Sequence, residues 1–496
     1  MKRTLALLLA VLMLICSLAA CKKEPEKKPT VSNDEVEESL GETDEYGQTI
    51  IDNGIPASLD YKGAAVNILV RDHISRYGDW VTDEGADDPL SLEIYERNEY
   101  VAEQLGIEFN FIKTPTGENG ATINSAITNS WTAQMGGIDI VSNYQHFGTS
   151  AAILNCYKNL YSEEFTYLNL EQPWWNQNFI SAAEAFNSIY LVVGDMNLAV
   201  YKTAFTMYFN QVQCEARGIM AEDLYDLVLE GKWTIAQLMN YTKETRSYLD
   251  EAEPLNDFYG LDTVWESHAW DGWVAAFDMD LTYADPDTGE HSLITDSAME
   301  RLVDAGDLLS PYLNSADVCL RKVNSGENTN VFAAGRAMFG LFSIGEASGF
   351  KDQMTEAYGL LPMPKYIEEQ DGYYGGVQDS HDAVSVLSHP KQNYEMISAV
   401  LEMLNSTSYY SVRPYFIETL VKFRYVKDSE SGQVIDMILA GTRWDFSDIY
   451  AVATGEIRNN MWREPLKKGA AINPNSTLYN ALLQTMDGWL ASKAGT

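Results

Sequence analysis

Hydrophobic and polar positions along this chain recur with two periods, the two-residue repeat of strands and the 3.6-residue repeat of helices. Ala64-Ala65-Val66-Asn67-Ile68-Leu69-Val70 is a short apolar run of strand length and reads as a buried strand. Residues 92–105 then carry Ile94, Val101 and Leu105 at helical spacing, and Gly106 supplies a C-terminal stop. Ile107-Glu108-Phe109-Asn110-Phe111 alternates as a second strand. After a further helical stretch, Gly137-Ile138-Asp139-Ile140-Val141-Ser142 forms a third short apolar run. Strand and helix in this alternation imply parallel pairing and an α/β sheet. Residues 188–195 and 204–210 are further strand candidates. Thr234, three residues before Gln237, makes a capping box that opens a helix running to about Leu249. Amphipathic helices are predicted over 295–309 and 391–404, the second with Pro390 at its first turn. Residues 331–342 read as a helix end, a break at Gly335 and a strand, 358–361 as a short strand closed by Pro362 and Pro364, and 376–387 as strand-like.

The first 58 residues depart from this pattern. Met1-Lys2-Arg3 precedes an uncharged stretch from Thr4 to Ile15 and then Leu18-Ala19-Ala20-Cys21. A positive start, a short apolar run and small residues before a cut site are the parts of a secretory signal. About a dozen apolar residues are too few to cross a ~30 Å hydrocarbon core as a helix. Residues 1–20 are therefore expected to be a signal peptide. Residues 21–58 are first Lys/Glu/Pro and then acidic, with few large apolar side chains, a composition that cannot offset its own ordering entropy. They are expected to be a disordered tether, with the folded body beginning near Leu59.

Composition narrows the class of partner. The chain has 34 Lys+Arg against 72 Asp+Glu, a net charge of −38, which repels phosphate backbones and argues against nucleic acid. The same balance argues against a peripheral hold on anionic lipid, which uses basic clusters. Its 496 residues, 46% of them hydrophobic, allow two or three domains with large cores. No second apolar run approaches 18 residues. Apart from Cys16 and Cys21, the cysteines are Cys156, Cys214 and Cys319, too scattered for a disulfide framework and read as small buried hydrophobes.

Two resemblances then give these features a context. Leu18-Ala19-Ala20-Cys21 resembles the lipobox of bacterial lipoproteins, which implies a lipid on Cys21 and a place on the extracytoplasmic face of the cell membrane. Tyr208-Phe209-Asn210, Glu215 to Gly218 and Lys232-Trp233-Thr234 resemble a stretch of the extracellular solute-binding proteins of ABC transporters. That family is the maltose-binding-like group with the type 2 periplasmic-binding fold. Phe332-Ala333-Ala334-Gly335-Arg336-Ala337-Met338 and Tyr358 to Lys365 look like its helix-to-strand element and its second hinge segment. Pro173-Trp174-Trp175-Asn176-Gln177 and Gly194-Asp195 resemble motifs of a Gram-positive branch. The likeness covers roughly residues 60–425. It implies a two-lobed α/β fold with a hinge and an interlobe ligand cleft. Lobe 1 would be 59–200 plus 366–425 and lobe 2 would be 201–365, with 426–496 as C-terminal helices packed on one lobe.

Candidate ligand residues follow partly from composition and partly from this resemblance. Sugars need flat aromatic platforms and side chains for paired hydrogen bonds, and the chain holds 11 Trp and 29 Tyr. Trp174 and Trp175 stand beside two amides after Pro173; Trp265 and Trp270 lie in a stretch with acids and a His, and Trp273 reads as core. Each remains open to packing instead, since Trp is usually buried. The resemblance places Asp72 and Tyr144 at the cleft from lobe 1, Asp195 beside the first hinge crossing, and Trp265, Trp270 and Phe342 on lobe 2. Related maltose binders often carry Trp just after the strand that ends here in Phe342-Ser343. Tyr374 and Asp379 flank the return to lobe 1, where turn chemistry is the other reading.

The resemblance implies a monomeric binding protein that delivers its ligand to ABC permease subunits; the aromatic supply within two lobes points to a small carbohydrate, more an oligosaccharide than a monosaccharide, and neither cofactor nor metal is expected. A secreted glycoside hydrolase is the alternative from another class, because 72 acids guarantee chance carboxylate pairs. Against it, no Gly-x-Ser-x-Gly elbow, His-Glu-x-x-His or Walker loop occurs, and the six His are scattered. A surface lipoprotein that holds glycans without a transporter is the third reading.

Overall fold

The computed structural model describes residues 43–71, 78–80, 88–114, 120–133, 136–185, 187–249, 251–264, 268–287, 291–293, 296–321, 330–426, 431–452, 454–473 and 484. The chain divides into Met1–Ile50 and Ile51–Thr496. In the described part of the first unit, Thr43 and Thr49 pair around a turn whose backbone N–H groups at Tyr46 and Gln48 donate to the Asp44 carboxylate. No helix among the described residues is long and apolar enough to cross a membrane.

The second unit holds two principal sheets. Their strands are β1 (Ala64–Val70), β2 (Ile107–Lys113), β3 (Ile140–Tyr144), β4 (Phe205–Asn210), β5 (Tyr259–Val264), β6 (Val318–Arg321), β7 (Ala337–Ser343), β8 (Tyr358–Leu361) and β9 (Asp382–Val386). The helices that matter below are α1 (Pro89–Leu105), α2 (Gln145–Ile153), α3 (Gln177–Ala183), α4 (Gly272–Ala276), α5 (Asp296–Leu313), α6 (Tyr394–Tyr410), α7 (Ser431–Ala440), α8 (Phe446–Ile449) and α9 (Glu464–Lys467). Sheet one has the order β9-β3-β1-β2, with β1 parallel to both β2 and β3 and β9 antiparallel to β3. Sheet two has the order β8-β4-β7-β5-β6; β5 runs parallel to β6 and β7, while β4 is antiparallel to β7 and β8. Parallel pairing of β1, β2 and β3 is what the strand–helix alternation predicts.

Each sheet is covered by its own apolar layer. Val66, Ile68, Ile140, Val141, Val384 and Leu404 are fully buried around sheet one. On sheet two, Tyr208 meets Phe350 edge to face at 5.0 Å, and Phe332 and Phe342 pack against the same ring. Such pairs add about 0.5–1.5 kcal/mol each beyond the area they bury. Cys156, Cys214 and Cys319 are buried and unbridged, as small apolar side chains would be.

Several boundaries move for local reasons. α1 ends at Gly106 as expected: its φ of 60° is left-handed, and a Cβ there would collide with the Asp60 carboxylate. The helix capped by Thr234 stops at Thr242, not near Leu249, because the Asp317 carboxylate accepts the N–H groups of Glu244, Thr245 and Arg246 and turns the chain. α6 starts at Tyr394 and not beside Pro390, since Asn393 accepts the Met396 N–H and caps it. Residues 188–195 are extended but form only isolated bridges, Ser188 to Ala185, Val192 to Val384 and Gly194 to Trp175.

The C-terminal part departs further from expectation. Packing on one lobe was expected for 426–496, yet its described residues reach both sheets. α7 packs on β8, α8 on α2 and α3 beside sheet one, and α9 on α5 beside sheet two. Between them Thr442-Arg443 pairs with Gly375-Gly376. A segment of about 25 residues thus runs from one side to the other.

Candidate functional site

The strand ends of the two sheets face a common cleft. β3 passes directly into α2, which sets Gln145 and His146 at the carboxyl edge of sheet one. After β5 the chain turns through Asp271 into α4, which sets Asp271 and Gly272 at the carboxyl edge of sheet two. Ligands of open α/β sheets sit outside such strand ends. Gly376, Val377 and Asp379 come from the stretch leading to β9, and half of the wall, from Ser447 to Arg463, comes from the C-terminal segment. Gly376 lies so close to α4 that a Cβ on it would come within 2.7 Å of the Gly272 Cα, so only glycine permits this approach. The free space is about 60 Å³. Pockets that enclose drug-sized ligands run from about 300 Å³, so this space is too small to hold one without the walls moving apart.

Charge dominates the wall, and among the described residues no Trp, Tyr or Phe lines it. Arg463 is held by Asp271, its Nε donating to Oδ1 at 3.0 Å and its Nη2 pairing with Oδ2. Burial pushes the guanidinium down to about 10. Arg458 places Nε 2.6 Å from Asp448 Oδ1 and Nη2 3.9 Å from Asp445. Burial nevertheless pushes Asp448 up to about 7, because Arg458 offsets only part of the desolvation and Asp445 and Asp379 add like charge. His146 sits between two acids, Nδ1 3.2 Å from Asp379 Oδ2 and Nε2 3.4 Å from Glu456 Oε1. The hydrogen bond to Asp379 raises its affinity for a proton against the effect of burial. Gln145 donates to the Asp448 carbonyl at 3.1 Å, while its fully buried Oε1 has no donor among the described residues. An unmade hydrogen bond of this kind costs about 1–3 kcal/mol.

Of the residues singled out from sequence, Asp379 lines this wall, and Tyr144 lies behind it, its hydroxyl donating to Asp379 Oδ1 at 3.3 Å. The Arg71 guanidinium lies 5.2 Å from the Tyr144 ring centre. Trp270 directly precedes Asp271 but is fully buried, with its carbonyl accepting the Trp462 indole N–H at 2.7 Å. Trp174 and Trp175 are not brought to the cleft. Both indole N–H groups donate to Glu402 of α6, at 2.9 and 3.0 Å, inside the core of sheet one. Asp195 is likewise internal, accepting the Tyr201 hydroxyl, and burial pushes it up to about 6. Phe342 belongs to the aromatic cluster of sheet two, and Tyr374 packs under the Arg443 guanidinium at 4.5 Å, away from the cleft wall. Asp72, Trp265 and Cys21 lie outside the described residues.

Sequence reasoning missed Gln145, His146, Asp271, Asp448, Glu456, Arg458 and Arg463. A search for aromatic platforms passes over all of them. The available signal was positional for two: Gln145 directly follows a strand and Asp271 stands in the indole-rich stretch.

Solved structures share this arrangement of two lobes. UgpB from Mycobacterium tuberculosis, in complex with glycerophosphocholine, matches with a TM-score of 0.54 at 11% identity, over 87% of this chain and 100% of that one. A cyclo/maltodextrin-binding protein complexed with maltotetraose matches with a TM-score of 0.51 at 13% identity, over 88% and 98%. No family model and no curated protein matches the sequence. At these identities the likeness concerns the fold, which is the two-lobed type 2 periplasmic-binding-protein fold that the sequence motifs imply.

Proposed function

We propose that this chain is the extracytoplasmic solute-binding protein of an ABC importer. It binds a small carbohydrate, an oligosaccharide rather than a monosaccharide, between its lobes and hands it to membrane permease subunits. The observation that supports this reading is the polar cleft at the carboxyl edges of both sheets. A site walled by two lobes opens to admit a ligand and closes over it, and the closed form presents a surface a permease can read. Of the residues named from sequence, Asp379 lines this cleft and Tyr144 stands behind it, its hydroxyl on Asp379, which supports giving both a part in the site. The lipid on Cys21 and the tether of 21–58 would keep the body near the permease while leaving it free to turn. Binding without turnover distinguishes this role from a glycoside hydrolase.

A thermal-shift screen over sugars, amino acids and peptides tests the reading, since a ligand at 100 times its Kd adds about 2.7 kcal/mol to stability. A shift with sugars and none with peptides is the expected result. Stabilisation by peptides alone overturns the substrate class, and release of product from any glycan overturns the non-enzymatic role.

A further inference from the structure

We propose that a two-stranded ribbon reaching out from the sheet-two side is a latch that holds the walls of the cleft together. This inference rests on the reading that those walls part to admit a ligand, and adds what resists their parting. The ribbon pairs Thr282–Ala284 with His291–Leu293 in antiparallel register and lies in the chain between α4 and α5. Its second strand touches the other side. His291 Nε2 donates to the carbonyl of Glu184, the residue that ends α3, at 2.7 Å. The same ring stacks on Phe446 of α8 with 3.7 Å between centres, and Phe446 stacks in turn on Tyr450. The Tyr450 hydroxyl donates to the carbonyl of Ala183 at 3.1 Å. Both polar ends of this column of rings thus meet carbonyls at the C-terminal end of α3, which a helix leaves without donors of its own.

The foot of the ribbon is held as well. Asp445 Oδ2 accepts the N–H groups of Leu281 and Thr282 and the Thr282 hydroxyl, at 2.9 to 3.1 Å, while Oδ1 accepts the Ser447 N–H and caps α8. The space beneath the ribbon separates a latch from a packed interface. A cavity of about 190 Å³ lies there, with Asn178 and Ser181 of α3 on one side and Asp280 and Thr282 on the other. Contact across it runs through a few directional groups. Each such hydrogen bond adds little net stability, so a handful can break and re-form together. The latch also touches the cleft directly. The short helix α8 carries Phe446 into the ring column and Ser447 and Asp448 into the cleft wall, so release on one face is felt on the other.

Double electron–electron resonance on the full chain tests this, with Cys16 and Cys21 replaced by Ser and the three other native thiols buried. Labels on Leu154→Cys, beside α2, and Tyr283→Cys span the latch, and both positions are exposed. A second pair, on Tyr283→Cys and Leu229→Cys, lies within the sheet-two side, since the helix ending at Leu229 packs on β8. His291→Phe keeps a ring against Phe446 and removes the donor to Glu184. It is expected to lengthen the Leu154–Tyr283 distance by several ångströms and to leave the Leu229–Tyr283 distance unchanged. Thr282→Val, which takes one hydroxyl from Asp445 at nearly constant size, is expected to act in the same direction and serves if His291→Phe does not fold. An unchanged Leu154–Tyr283 distance in the folded variants overturns the proposal. So does a change in both distances, because the ribbon then frays by itself and holds nothing. The ligand class is read separately: a chain that no sugar stabilises in the thermal-shift screen loses the carbohydrate reading whatever the distances show.

Discussion

Glu402 decides what two of the most conspicuous aromatic residues do. Its buried carboxylate takes the indole N–H groups of Trp174 and Trp175 and the backbone N–H of Asn169, which draws both rings into the core of sheet one. Glu402→Leu would leave three donors without an acceptor, and urea unfolding is expected to show a loss of about 2–4 kcal/mol. Sugar affinity should be unchanged in that variant, because Glu402 lies away from the cleft. Trp270→Ala is expected to cost about 3–5 kcal/mol as a buried cavity, whereas a ligand platform would lose affinity and keep its stability. Protonation acts at the same scale. Burial pushes Glu402 and Asp448 up to about 7, and Asp379 raises His146. In each case the folded chain holds its proton more tightly than the unfolded chain. Their contribution is complete below the unfolded values, about 4 for the carboxyls and 6.5 for His, and is lost as pH rises through the folded values. Glu164, Glu464, Asp60 and Asp88 are shifted the opposite way but sit at the surface and are screened, while burial pushes His381 down to about 4, so that one imidazole opposes the trend on the acid side. The thermal midpoint should therefore be higher near pH 5.5 than near pH 8, and a scan with the reverse order would contradict these assignments.

At the scale of elements, ends carry more of the argument than interiors. α1 keeps its expected stop because glycine at a left-handed position is a local matter. The helices at Thr234 and Asn393 end or begin where remote carboxylates or caps act, and Asp317 lies over 70 residues from the N–H groups it binds. The close pass of Gly376 over α4 is the element-scale feature most exposed to test. In Gly376→Ala the new methyl would meet backbone rather than a yielding side chain. An overpacking cost of about 1–3 kcal/mol is expected in chemical denaturation, together with weaker ligand binding as the Gly375-Gly376 strand is pushed from the cleft. Unchanged affinity in that variant would separate this stretch from the site.

For the whole molecule, the fold was legible early and the site was not. Alternation of strand and helix over 64–142 led to a parallel sheet, and the motifs around Asn210, Trp233 and Gly335 led to two lobes; both are present. Placement of ligand residues fared differently. Asp379 lines the cleft with Tyr144 bonded behind it, while the residues between Ser447 and Arg463 supply half of its wall from a segment that had no assigned role. Location belongs to this scale too. Cys21→Ser is expected to abolish incorporation of labelled fatty acid and to move the protein from the membrane fraction to the medium. Persistent membrane retention without label would refute the lipid anchor.

Sequence alone determined what depends on neighbours in the chain: period, the glycine stop at Gly106 and the cap at Thr234. Those features act over a few residues, so they can be read in order. The tertiary structure decided what depends on distance in space. Which carboxylate meets which guanidinium, as in Asp271 with Arg463, spans 192 residues and leaves no local pattern. Whether an indole faces ligand or core likewise depends on a partner such as Glu402, 228 residues from Trp174. The abundance of Trp and Tyr was visible from the start; their burial, and a cleft walled by charge instead, came only with the fold.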